Sequence, residues 1–170
     1  MPFGNTSDAS SSIADNDSIL TPATSSTASV KEIWDGHCFP STPWPGNTYQ
    51  IVEKVGGRPI ICHDGNVLLS DLSKVPKKSW WLCVESNNHM GFQNLHSGCH
   101  LGHDGNEKMQ ARTEKMKDWE HIIARPHPQG GYQLLSKYWW HSLKVIVVGG
   151  DGKSLIRQMH GNTFFEFKKL

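Results

Sequence analysis

Several groups of residues in this 170-residue chain have types and spacings that could do chemistry. His63-Asp64-Gly65 and His103-Asp104-Gly105 read as acid–base dyads. Adjacent residues on a hairpin point apart, however, and Asp-Gly is already explained as a turn. Val145–Ser154, VIVVGGDGKS, runs a strand into Gly-Lys-Ser and invites a phosphate-loop reading. That motif needs a glycine five residues before the Gly-Lys glycine, and the position is Val147. Cys62, His63, Cys99, His100 and His103 are soft ligands, but no pair of Cys-x-x-Cys elements completes a structural zinc site. No metal and no cofactor is therefore expected. Two groups remain. Trp139, Trp140, His141 and Lys144 combine stacking surfaces with polar heads, a composition suited to a flat ring carrying polar groups. Glu120, His121, His127 and His141 could act as general acids and bases if folding brought them together.

The elements that must position these residues repeat. Tyr49-Gln50 leads to His63-Asp64-Gly65 and then Trp80-Trp81; Phe92-Gln93 leads to His103-Asp104-Gly105 and then Trp119; Tyr132-Gln133 leads to Asp151-Gly152 and then Phe164-Phe165. The Asp-Gly pairs are 40 and 47 residues apart, and the aromatic-Gln starts are 43 and 40 apart. A period near 40 marks a repeat architecture. Each unit reads as four strands, with Asp-Gly at a type I′ hairpin turn. Glu107–Lys117 is rich in helix formers. Strand is the better reading, because Met109 and Ala111 alternate with Lys108, Gln110 and Arg112. One unit cannot bury its inner face, whereas three can, by closing a barrel. Trp81, Trp119 and Phe165 are predicted to form one symmetric core layer. Lys137–Ser142, KYWWHS, stands where the other units have short glycine turns.

Bulk composition narrows the function. The formal charge is +1 and no basic block stands out, so a nucleic-acid partner is not expected. No apolar run reaches the length of a membrane span. The N-terminus lacks a basic region followed by an apolar stretch, so a cytoplasmic location and reduced cysteines are expected. Residues 1–30 are rich in Ser, Thr, Asn and Asp and are predicted to be a disordered tail before a domain spanning 31–170. The prolines and tryptophans of Lys31–Gly46 suggest an extended lead-in that lays its aromatics on that domain.

Cys99-His100-Leu101-Gly102-His103-Asp104-Gly105, Trp119-Glu120-His121, Gly130-Gly131-Tyr132-Gln133-Leu134-Leu135 and Phe164-Phe165-Glu166-Phe167 resemble the fascin-like (actin-crosslinking-like) β-trefoils. They are most similar to small single-domain trefoils of filamentous fungi. The resemblance covers about Thr48–Leu170 and implies an all-β fold of three four-stranded pseudo-repeats. It carries little about activity, because one fold hosts many. Ricin-type lectins, the best-known sugar-binding trefoils, carry Gln-x-Trp in each unit. Here Gln50, Gln93 and Gln133 are followed two residues later by Val52, Leu95 and Leu135. The expectation is therefore a binding module for a small molecule or a protein, not a ricin-type lectin, with its ligand at Trp139, Trp140, His141 and Lys144. The rival expectation is a cyclase- or isomerase-type enzyme of fungal secondary metabolism, with acid–base groups from Glu120, His121, His127 and His141.

Overall fold

The computed structural model describes residues 41–71, 77–139 and 142–170. The predicted tail, Trp34, Trp140 and His141 lie outside them. The first unit contains β1 (Thr48–Glu53), β2 (Ile60–His63), β3 (Asn66–Leu69) and β4 (Trp80–Ser86). The second contains β5 (His89–Asn94), β6 (His100–His103), β7 (Met109–Thr113) and β8 (Ile122–Pro126). The third contains β9 (Tyr132–Trp139), β10 (Ser142–Val148), β11 (Leu155–Gln158) and β12 (Phe165–Lys169). No α-helix occurs among the described residues. Two short 3₁₀ turns, Lys77–Ser79 and Asp118–Glu120, precede β4 and β8. The helix formers around Met109–Thr113 yield to strand because Met109 and Ala111 are both buried. Packing overrides intrinsic propensity there.

The first and fourth strands of the units build the barrel. β1 pairs with β4 and β12, β5 pairs with β4, and β9 pairs with β8 and β12. The middle strands form three hairpins that touch one another through Asn66↔Gln110, Leu68↔Ser154 and Lys108↔Ile156. Inside, Ile51, Trp81, Phe92, Leu134, Phe165 and Phe167 are fully buried. The buried Trp81 indole N–H donates to the Ile60 carbonyl at 2.9 Å, so its one polar atom is satisfied.

The turns follow the sequence in part. Gly65, Gly105 and Gly152 all take positive φ. Only Asp64-Gly65 is a two-residue turn with positive φ at both positions, +50° and +75°. Asp104 and Asp151 start wider loops in which the carboxylate accepts backbone N–H bonds: Asp104 from Asn106 at 2.8 Å, and Asp151 from Lys153 and Ser154 at 2.9 and 2.8 Å. The Gly-Lys-Ser segment is thus a hairpin loop between β10 and β11. A second two-residue turn, Asn87-Asn88 with both residues at positive φ, joins β4 to β5 and starts β5 at His89.

The symmetric tryptophan layer needs one correction. Trp81 and Phe165 are buried, but Trp119 is 52% exposed. Its predicted place belongs to Ile122, which is 1% exposed. The 3₁₀ turns set this register: Lys77–Ser79 is followed two residues on by Trp81, and Asp118–Glu120 two residues on by Ile122. Trp119 therefore corresponds to Lys78, a surface position. The lead-in also differs. Ser41 docks through its N–H on the Phe167 carbonyl, yet Trp44 stays 69% exposed.

Candidate functional site: a cleft at an unzipped seam

Within unit one, β1 and β4 form a ladder from Thr48↔Leu82 to Gln50↔Trp80. In unit three, β9 and β12 meet at Tyr132↔Phe165. Unit two has no such pairing between β5 and β8 among the described residues. The 3₁₀ turn crowds this seam. A side chain at Gly91 would meet the Glu120 carbonyl at 3.0 Å, and one at Gly102 the Glu120 Oε1 at 2.8 Å. Glycine at these positions lets the turn press in beside the strands. Next to this seam is a cleft of about 550 Å³.

One wall is His89 with His121, their rings stacked at 4.0 Å and 13°. Trp139, Leu143, Lys137 and Ile123 also line the cleft. Trp139 is 63% exposed, while Ile123 and Leu143 are 45% and 40% exposed. Burial holds the His121 imidazole below its usual range, and a charge on the stacked His89 would push it lower still. The His121 Nδ1 is buried without a partner. The cleft thus joins apolar surface to a pair of stacked imidazoles.

The sequence-predicted site residues divide. Trp139 is on the cleft. Lys144 is one residue beyond Leu143 on β10, so it faces the other side. Its ammonium sits 4.3 Å over the Tyr138 ring and 3.9 Å from the Glu107 carboxylate. Trp140 and His141 lie outside the described residues. The acid–base set does not converge. His121 and His127 flank the two ends of β8, about 20 Å apart at ~3.3 Å per strand residue. His127 packs against Phe164 with ring centroids 4.3 Å apart and planes tilted by 40°, and its Nδ1 accepts the Gln129 N–H. The Glu120 carboxylate is buried and caps its own turn by accepting the Lys117 N–H at 3.0 Å. Burial raises its pKa, and the Lys117 bond opposes that.

The metal candidates scatter likewise. His100 Nδ1 faces the Thr113 carbonyl, His103 Nδ1 accepts the Gly105 N–H, and His63 is beside Asp64 and Lys78. Among the described residues no group of three or more His, Cys, Asp or Glu is placed to hold a metal ion. Cys62 and Cys83 are buried free thiols, and burial pushes Cys83 up to about 12, with help from Glu85. Sequence reasoning missed His89, Ile123, Lys137 and Leu143 as cleft residues. The Asn87-Asn88 turn was the available signal, since it extends β5 back to His89.

The fold is a β-trefoil. The ricin B-like lectin of Macrolepiota procera, solved with lactose, superimposes with a TM-score of 0.62, at 10% identity over 76% of this chain and 100% of that one. The designed threefold-symmetric protein ThreeFoil matches with a TM-score of 0.61, at 18% identity over 72% and 99%. The Polyporus squamosus lectin, bound to Neu5Aca2-6Galb1-4GlcNAc, matches with a TM-score of 0.60, at 14% identity over 76% and 51%. No family model matches the chain, and no curated protein resembles it in sequence.

These matches overturn the expectation that excluded ricin-type lectins. At the positions where Gln-x-Trp would place tryptophan, Val52 and Leu135 are buried residues. The trefoil therefore closes without tryptophan there. The acid–base residues of the enzyme expectation do not come together among the described residues: Glu120 and His121 precede β8, and His127 follows it. At this level of identity the matches support the trefoil and not the narrower fascin-like group.

Proposed function

We propose that this chain is a glycan-binding β-trefoil and that the cleft at the β5–β8 seam is its sugar site. The observation that carries the reading is Trp139, 63% exposed on the wall of a cleft that also presents imidazoles and an ammonium. An exposed indole stacks on the C–H face of a pyranose, and polar groups around it take the hydroxyls. Scattered apolar side chains on a surface are ordinary, but Trp139, Leu143 and Ile123 lie together around one concavity. Two of the similar trefoils are lectins, solved with lactose and with Neu5Aca2-6Galb1-4GlcNAc, and both sugars contain galactose. Galactosides are therefore the first probes to use. The narrower likeness to fascin-like fungal trefoils rests on sequence motifs such as Cys99–Gly105 and Phe164–Phe167 and adds nothing about the ligand.

Titration calorimetry with lactose and with Neu5Aca2-6Galb1-4GlcNAc, alongside an array of neutral glycans, tests this. Binding is expected, and Trp139→Ala is expected to weaken it about tenfold or more, as for a central aromatic anchor. The variant should keep its urea midpoint, because so exposed a ring contributes little burial. Undiminished binding by Trp139→Ala would remove the cleft as the site. No binding to any glycan would remove the function.

A further inference from the structure

The cleft does not end at Trp139. Trp139 and Lys137 also border a smaller cavity of about 160 Å³, whose other walls are Tyr138, Asp118 and Trp119. Asp118 and Trp119 in turn border a third, of about 620 Å³, with Lys117 and Glu120. Adjoining cavities share side chains in each case, so the three form one track along the surface between units two and three. Along it, exposed Trp139 comes first, then the Lys137–Asp118 ion pair at 3.5 Å, then exposed Trp119.

Resting on the glycan-binding reading, we infer that this track takes a linear, uncharged oligosaccharide on two stacking platforms, Trp139 and Trp119, bridged by Lys137 and Asp118. Trp119 is surplus to the fold: Ile122 fills the core position, and Lys78 stands at its counterpart in unit one. Its ring is nevertheless held in place. It stacks on His103 at 5.1 Å and lies over Gly105, where an added Cβ would meet Cη2 at 3.3 Å. One side of the indole is thus packed while half of the residue stays open to solvent, the geometry of a preorganised platform. The charges favour a neutral chain. Lys117 and Lys137 are matched by Asp118 and Glu120, so no excess of either sign is offered to a polyanion or a polycation. A protein partner favours a continuous apolar core from which charge is depleted, and here an ion pair interrupts the aromatics. A sugar chain, with C–H faces alternating with hydroxyl edges, matches that interruption.

The test is a length series on the full chain. Neutral galactose-, glucose-, mannose- and N-acetylglucosamine-based oligosaccharides, from one unit to six, are presented on a carrier protein beside the bare carrier. Affinity is expected to rise about five- to tenfold once the oligosaccharide is long enough to reach the second ring, the increment of one aromatic stack. Trp119→Ala should erase that rise and leave the affinity for the shortest bound sugar unchanged. Trp119→Phe should restore part of it, which a merely misfolded variant could not show. Binding that depends on Trp139 but is flat with length would overturn the extended track and leave the sugar site standing. Equal loss at all lengths in Trp119→Ala would overturn the second platform. Capture by the bare carrier would show a protein-binding groove, and silence of the whole series would overturn the glycan reading itself.

Discussion

His103 shows what a single buried group does to the behaviour of the chain. It is 3% exposed, its Nδ1 accepts the Gly105 N–H at 3.0 Å, and its Nε2 has no partner. Burial lowers its pKa to about 4, and the Arg157 guanidinium pushes the same way. In the unfolded chain the same ring titrates near 6.5. Between those values the unfolded state binds more protons, so stability is lost as the pH falls from about 6.5 towards 4. The full shift corresponds to up to ~3 kcal/mol. His121, lowered by burial, acts in the same direction. His103→Asn keeps an acceptor for the Gly105 amide and removes the titration. Urea midpoints measured from pH 7 to pH 4 are expected to fall less steeply in that variant than in the wild type. Parallel curves would mean that other groups set the acid limit.

At the scale of elements, the turns carry the fold, and they differ in how tightly they are bound to glycine. Gly65 has φ +75°, and a Cβ there would come within 2.7 Å of the Arg112 Cγ. Gly152 has φ +69° with nothing within 4 Å. Alanine at either place meets the backbone penalty, about 1 kcal/mol. Only Gly65→Ala must also displace the Arg112 side chain. Chemical denaturation should therefore rank Gly65→Ala below Gly152→Ala, with both below wild type. Equal midpoints would show that Arg112 moves aside without cost. Asn88→Gly should raise the midpoint, because Asn-Gly suits a type I′ turn better than Asn-Asn. A lowered midpoint would mean that the Asn88 side chain supports the β4–β5 turn.

On the scale of the whole molecule, Arg157 breaks the threefold symmetry from inside. It is 1% exposed and stands where the other hairpins carry Leu69 and Ala111, both buried. Its guanidinium donates to the Asn106, Gly105 and Lys137 carbonyls. It thereby ties the unit-two loop beneath Trp119 to the strand that carries Trp139. No carboxylate forms an ion pair with it among the described residues; Asp104 and Glu107 act on it only through space. Truncation would leave three carbonyls without their donor, so Arg157→Ala is expected to cost about 3 kcal/mol or more. Arg157→Lys should not rescue it, because a point charge cannot span three acceptors as the planar fork does. A thermal or urea transition in Arg157→Lys that matches wild type would refute this clasp.

The sequence by itself determined the three units, the twelve strands and the positive-φ glycines. These are local properties: turn chemistry acts over two to four residues, and strand alternation is visible in any short stretch such as Met109–Thr113. The departure of KYWWHS from the other units also singles out Trp139 at the level of sequence. Only the tertiary structure decided which aromatics are core. A 3₁₀ turn moved the register by three residues, so Ile122 went inside and Trp119 to the surface. The cleft was hidden for a deeper reason. It lies at the seam of β5 and β8, strands that meet only when the barrel closes, and the absence of a ladder there among the described residues leaves no mark in either segment. Lys144 and Trp139 are close in sequence but fall on opposite faces of one hairpin, a consequence of the bulge between Ser142 and Leu143 that pairing alone reveals.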